Sequence, residues 1–195
     1  MQSEDWNRRH GESGLLFGAE PNRFLVAEVD GLQPGRALDV ACGSGRNSVW
    51  LAGRGWRVTG VDFSDVALEQ AKALAAERGV DVDWVQADLL GWRPFDEAFD
   101  LVVVLYLQLP ADQLEQVLRR AAAGLASGGT LLVVGHHSDN IEQGYGGPKD
   151  PRVLFTPRQV AGYLDGLRVE KAEAVLRSGE GERDAIDALV RARRA

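Results

Sequence analysis

Residues 38–47 read Leu38-Asp39-Val40-Ala41-Cys42-Gly43-Ser44-Gly45-Arg46-Asn47. The pattern is a strand end, a tight glycine turn and the opening of a helix, with a carboxylate just before the turn. A phosphate-binding loop gathers backbone N–H groups and the positive end of a helix dipole around an anion. A fixed Asp at its mouth would repel that anion. Asp39 instead suits a ligand that brings a positive group to this point, such as an amino-acid ammonium.

Outward from the turn, strand and helix patterns alternate. Ala37–Val40 is a short buried strand, and Asn47–Ala52 a helix closed by Gly53-Arg54-Gly55. Residues 56–62 form the second strand. Ser64 is placed to cap a helix that Gly79 stops. Val82–Val85 is a third strand, and Asp100–Leu105 is apolar enough to sit at the sheet centre. Ala111–Leu125 carries inward Leu114, Val117, Leu118, Ala121 and Leu125, and Ser127-Gly128-Gly129 turns it into the strand Thr130–Val134. Thr156-Pro157 opens another helix running to about Asp165. Strands near 168–176 and 185–191 flank the hairpin-like connection 178–182. This alternation is the signature of an α/β, doubly wound sheet.

The turn, with Asp62 closing the second strand about twenty residues later and Asp88 closing the third, resembles the class I S-adenosylmethionine-dependent methyltransferases. The resemblance implies a Rossmann-like seven-stranded sheet of order 3-2-1-4-5-7-6, with strand 7 antiparallel and helices on both faces. Residues 1–195 then form a single methyltransferase domain. Residues 1–35, with Trp6, Phe17, Phe24 and Leu25, are expected to form one or two helices capping the cofactor pocket.

The same resemblance assigns cofactor contacts. In open α/β sheets ligands bind outside the carboxyl ends of the strands, at the point where strand order reverses. Asp39, Asp62, Asp88 and the Leu105-Tyr106 pair should therefore face one crevice. Asp62 would accept from the ribose hydroxyls, and Asp88, with Ala87, would receive the adenine amine. Phe63 and Leu89 would sandwich the adenine ring. Gly43 and Gly45 let the backbone approach the methionine moiety, with Ala41 where the family often has glycine. The helix opening at Arg46-Asn47 would meet the methionine carboxylate, and Asp39 its ammonium. The implied cofactor is S-adenosyl-L-methionine, leaving S-adenosyl-L-homocysteine as product.

Residues on the acceptor side are fewer. Tyr106 and Gln108 lie in the substrate-facing loop after strand 4, and His136 and His137 follow strand 5. Tyr106, His136 and His137 are the candidate catalytic residues, either histidine being able to act as base at neutral pH. Tyr106–Pro110, Gly135-His136-His137 and the Gly-Ser-Gly-Arg-Asn run resemble the tellurite-resistance and thiopurine methyltransferase-like branch. That branch frequently has His where Gln108 stands, and Gln cannot serve as a base. The Gly- and Pro-rich loop 143–151 is placed to cover an acceptor. Cys42 lies in the cofactor turn and reads as a packed small residue rather than a nucleophile.

Composition narrows the partners. The chain has 195 residues, a formal net charge of -7, one cysteine and three histidines. An acidic surface disfavours nucleic acid, and the short basic run Arg191-Ala192-Arg193-Arg194 reads as a solvated chain end. The Cys and His spacing provides no metal site. No apolar run approaches the ~20 residues that span a bilayer, and the N-terminal stretch lacks a signal-peptide core, so the expected location is cytoplasmic. The aromatic-flanked Pro-Pro motif of amino-methylating nucleic-acid enzymes is missing after strand 4. Together these features point to a small-molecule acceptor reached through O, N, S or a metalloid, with the protein a monomer or homodimer. The alternatives are a catalytically silent S-adenosylmethionine-binding module and a nicotinamide-dependent oxidoreductase. The oxidoreductase fits poorly, because the third glycine of its fingerprint falls at Ser48 and Asp39 would face a pyrophosphate.

Overall fold

The computed structural model describes residues 7–8, 18–178 and 183–195. Trp6, Phe17 and the centre of the hairpin connection, 179–182, lie outside the described residues. In chain order the elements are α1 (Arg23–Val29), β1 (Arg36–Val40), α2 (Arg46–Gly53), β2 (Arg57–Asp62), α3 (Asp65–Arg78), β3 (Asp83–Gln86), β4 (Phe99–Leu105), α4 (Ala111–Ala123), β5 (Leu125–His136), α5 (Pro157–Ala161), β6 (Leu167–Arg177) and β7 (Ala185–Arg194). The strands form one seven-stranded sheet of order β3-β2-β1-β4-β5-β7-β6. β7 runs antiparallel to both neighbours, and β1 to β5 pair in parallel. This is the order that the resemblance implied.

Two apolar layers hold the sheet. Leu38, Val40, Val102, Val104, Leu131 and Val133 face α4 and α5, while Ala37, Leu101, Val103, Leu132 and Val134 face α1 and α2. The alternation along each strand is the period-two pleat, and β4 fills both layers because it is apolar at nearly every position. Leu25 of α1 is wholly buried, with Phe24 packed beside it.

Local signals explain the helix ends. Ser64 Oγ accepts from Ala67 N at 3.0 Å, and Gly79 closes α3 in the left-handed region at φ 64°. Thr156 Oγ1 accepts from Gln159 N at 3.1 Å to start α5.

Three elements depart from the sequence reading. α5 stops at Ala161, because Gly162 caps it and the chain continues as turns to Gly166. β5 begins at Leu125, five residues early: Phe99 pairs with Leu125, the register shifts, and Leu101 pairs with Thr130. Ser127-Gly128-Gly129 is therefore an irregularity inside a strand, with Gly128 at φ 74°. The basic run 191–194 is no solvated end, since it belongs to β7. Ala192 is wholly buried, and Arg191 pairs with Glu28 and Glu170. The Arg194 guanidinium donates to Leu125 O at 3.0 Å and Ala123 O at 3.3 Å, and pairs with Glu97.

Candidate functional site

The glycine turn is built from below by two carboxylates. Asp62, at the end of β2, accepts from Gly43 N (2.8 Å) through Oδ2 and from Ser64 N (2.9 Å) through Oδ1. One buried side chain thus ties the turn to the entry of α3. Gly43 and Gly45 lie at φ 54° and 77°. A Cβ at Gly45 would sit 2.6 Å from the Trp84 ring and 2.7 Å from Ala71 Cβ, so only glycine lets α2 start this close to α3. Ala41 also occupies the left-handed region, at φ 60°.

Asp39 is almost completely buried beneath the turn, where its Oδ2 accepts from Ser48 Oγ at 2.6 Å. Burial pushes its carboxyl up to about 7. The Ser48 hydrogen bond and Arg46 oppose the rise, while the neighbouring Asp62 charge adds to it. The Cys42 thiol is raised by the same burial and the same two carboxylates, which keeps it an inert thiol.

The third strand end forms the other wall. Ala87 N extends the β2–β3 ladder to Asp62 O at 2.9 Å, so the chain leaves β3 next to the end of β2 just before Asp88. Asp88 is exposed, and its Oδ1 accepts from Leu90 N at 3.0 Å. Leu89 is buried and Phe63 half-buried. The Arg120 guanidinium of α4 fixes this segment by donating to the carbonyls of Leu89 (3.1 Å), Leu90 (2.6 Å) and Trp92 (3.2 Å). Sequence reading did not single out Arg120, because a helical arginine reads as surface.

Asn47, expected at the cofactor carboxylate, accepts from Asn22 N at 2.9 Å. Asn22 in turn caps α1 through Phe24 N and Leu25 N. The pair docks α1 onto the first turn of α2. Farther toward the N-terminus, Asn7 joins Ser64 Oγ (2.6 Å) and Asp65 (2.8 Å) at the entry of α3.

The acceptor-side residues divide. Tyr106 follows β4 at φ 57° and donates its hydroxyl to Asp187 Oδ2 at 2.7 Å. Arg177 Nε donates to the same oxygen at 2.7 Å. His136 Nδ1 lies 3.3 Å from Asp187 Oδ1, and its ring stands 4.9 Å from that of Tyr106. Burial alone would raise the wholly buried Asp187 carboxyl, but His136, Arg177 and Tyr106 outweigh it and hold it below the usual range. Burial and the Asp187 charge push the Tyr106 phenol well above its ordinary value, so it acts as a donor.

His137, one residue on, points elsewhere, as successive strand residues do. Its Nδ1 accepts from Asp139 N at 3.1 Å and caps a short 3-10 turn, 138–141. The structure therefore joins Tyr106 to His136 and separates His137 from both. Asp187 and Arg177 were not anticipated. They sit 51 and 41 residues from His136 in sequence, and only the β5–β7–β6 register brings them there. Gln108 is half-buried in the segment after β4. Among the described residues no group of His, Cys, Asp and Glu could hold a metal ion, and no helix is long and apolar enough to cross a membrane.

Residues 37–129, from β1 into β5, match the family model described as a methyltransferase domain. A trans-aconitate 2-methyltransferase from Afipia carboxidovorans is 33% identical over 145 residues, which cover 71% of this chain and 52% of that protein. The chain spans about half the length of the curated relatives it matches. Among solved structures, the N-methyltransferase NodS from Bradyrhizobium japonicum WM9, in complex with S-adenosyl-L-homocysteine, is similar over 100% of this chain and 99% of its own, with TM-score 0.75 and 19% identity. TehB from Haemophilus influenzae is similar over 97% of this chain and 67% of its own, with TM-score 0.75 and 17% identity. Residues 37–129 thus match a methyltransferase-domain model, on a Rossmann-like fold shared with solved methyltransferase structures such as NodS.

Proposed function

We propose that this chain is an S-adenosylmethionine-dependent methyltransferase acting on a small-molecule acceptor. The observation that carries the reading is the pair of carboxylates, Asp39 and Asp62, that underlies a glycine turn at the ends of β1 and β2, with Asp88 just past β3. The donor chemistry suits the cofactor. Asp62 and Asp88 offer acceptors for ribose hydroxyls and an adenine amine, and a carboxylate has about four acceptor positions, so Asp62 can hold Gly43 N and Ser64 N while accepting from hydroxyls. Phe63 and Leu89 offer apolar faces for the adenine ring, and Ala87 and Leu105 border the same strand ends. Asp39 supplies negative charge toward an ammonium where a nicotinamide dinucleotide would bring phosphate.

The bound sulfonium would supply a methyl carbon open to in-line attack. The chain's contribution is then alignment and exclusion of water. The turn, α1 and the 88–92 segment fix the methyl donor, while the Tyr106–His136 side receives the acceptor. Small acceptors are supported by the relatives, whose names give trans-aconitate among their substrates. The net charge of -7 supports a partner other than nucleic acid. We further read residues 1–195 as one cytoplasmic domain, with the segment before β1 as its cap. The tellurite-resistance-like branch is supported by Tyr106–Pro110 and the Gly-Ser-Gly-Arg-Asn run, against Gln108.

Thermal unfolding tests the reading. S-adenosylhomocysteine should raise the melting temperature and NADH should not; protection by NADH alone would overturn it. Incubation with methyl-labelled cofactor and a panel of phenols, hydroxy acids, thiols, amines, selenite and tellurite should then label at least one acceptor. Binding without labelling anywhere would leave a silent cofactor-binding module.

A further inference from the structure

We propose that His136 and Asp187 form a proton-abstracting pair: Asp187 holds the imidazole with its proton on Nδ1, and Nε2 takes the proton from a hydroxyl or thiol acceptor as the methyl group arrives. The inference rests on the methyltransferase reading above and names the acceptor class for it.

The geometry begins with register. His136 and Asp187 are direct partners in the antiparallel β5–β7 ladder, so their side chains leave the sheet on the same face, side by side. Arg177 lies on β6, two residues beyond Val175, the partner of Asp187, and so shares that face. Tyr106 reaches it from the end of β4 because its left-handed backbone turns the ring back over the sheet.

Asp187 has two oxygens with unequal surroundings. Oδ2 takes both strong donors, Tyr106 Oη and Arg177 Nε, each at 2.7 Å. Oδ1 is buried with no hydrogen-bond partner, and His136 Nδ1, likewise buried without one, lies 3.3 Å away, so a small adjustment would join them. Arg177 balances the carboxylate charge, which lets Asp187 remain ionised while wholly buried. An acceptor-only oxygen facing Nδ1 selects the tautomer with the proton there, leaving the Nε2 lone pair as the base.

The site is closed on the Nδ1 side. A Cβ at Gly147 would lie 2.9–3.1 Å from Nδ1, Cε1 and Cγ, so the backbone of that loop rests against the ring. The His136 side chain keeps 12% of its surface exposed, and none of that exposure is at Nδ1. The charged and titratable groups facing the pair are Tyr106 from the end of β4, Arg177 from β6 and, through Tyr106 and Arg177, Arg46 at the start of α2.

The step balances. The acceptor O–H or S–H bond breaks, and its proton passes to Nε2. The electron pair left behind forms the new bond to the methyl carbon. The carbon–sulfur bond of the sulfonium breaks with its pair on sulfur, giving a neutral thioether. The positive charge ends on the imidazolium, where Asp187 Oδ1 meets it. A neutral amine has a lone pair without losing a proton first, so a dedicated base marks hydroxyl or thiol acceptors.

Long-range proton–nitrogen correlation on the full chain labelled with 15N-histidine decides the matter, since there are only three histidines. In the neutral form His136 should carry its proton on Nδ1. His137, whose Nδ1 accepts from Asp139 N, should carry it on Nε2. A wild-type His136 protonated on Nε2 would overturn the proposal without any variant. In Asp187→Asn the two donors on the Oδ2 side require the amide oxygen there. The NH2 then faces Nδ1, and the His136 tautomer should flip.

On a phenol or thiol acceptor, Asp187→Asn and His136→Gln should lower kcat by about 10²- to 10⁴-fold, while the thermal shift given by S-adenosylhomocysteine stays. Undiminished kcat in His136→Gln would overturn the pair. Loss of the wild-type thermal shift would instead overturn the cofactor reading and leave the tautomer result standing.

Discussion

Ala41 and Tyr106 both hold left-handed backbones, at φ 60° and 57°, just past the ends of the paired strands β1 and β4. These are the strands between which the order of the sheet reverses, where open α/β folds bind ligands. Neither residue is glycine, so strain is stored at the point where turn and acceptor side meet.

A side chain in this region costs roughly 1–2 kcal/mol, and replacing alanine by glycine gives back about 0.4–1 kcal/mol through the freer unfolded chain. Ala41→Gly should therefore stabilise the protein by roughly 0.5–1 kcal/mol, read from the urea midpoint at constant m. Ala41→Val, β-branched at positive φ, should destabilise it. A glycine variant less stable than wild type would show that Ala41 carries no such strain.

Asp39 makes stability depend on pH in an unusual direction. Its folded value of about 7 lies above the ordinary 3.8. Between those values the folded chain binds the extra proton, so this group's contribution to stability falls as pH rises from about 4 to 7. Urea midpoints at pH 5.5 and 8 should differ in favour of the lower pH by more in wild type than in Asp39→Asn. An equal difference in the two proteins would remove Asp39 as the cause.

The same residue reports on the ligand. If an ammonium binds against Asp39, the carboxyl ionises on binding. S-adenosylhomocysteine should then release up to about one proton at pH 6 and little at pH 8. Calorimetry in two buffers of different ionisation heat measures this number. Wild type and Asp39→Asn giving the same release would separate Asp39 from the ammonium.

Arg194 acts as a clasp for α4. Its guanidinium reaches the carbonyls of Ala123 and Leu125 at the helix C-terminus and pairs with Glu97. Cations there satisfy orphan carbonyls and oppose the helix dipole. Arg194→Ala should cost about 1–2 kcal/mol, whereas Arg168→Ala, whose partner Glu170 is on the same exposed strand, should change stability little. Equal effects would mean that the clasp contributes nothing.

Local features were readable from sequence because their causes are local. The glycine turn, the Ser64 and Thr156 caps, the Gly79 stop and the apolar β4 each depend on a few adjacent residues. Asp62 could be placed at a strand end because it is the last residue of β2, whereas β3 stops at Gln86 and leaves Asp88 two residues beyond it. Asp187 could not, since its partnership with His136 depends on an antiparallel register across 51 residues. Arg194 was misread for the same reason: Arg, Ala, Arg, Arg looks like a tail until β5 and β6 bracket it. The two adjacent histidines looked equivalent, yet His136 faces Asp187 while His137 caps the turn at Asp139.

β7 follows β6 in sequence yet lies inside it in the sheet. Asp39 and Asp62 lie on the parallel strands β1 and β2 and Asp88 just past β3, whereas Asp187 lies on β7, which pairs with β5 and carries β6 as the sheet edge. The proposed grip on the methyl donor and the proposed base therefore sit in different parts of the sheet. The carboxylate facing His136 hangs on one antiparallel strand and the proposed nucleoside contacts on three parallel ones, a division of labour drawn along the sheet.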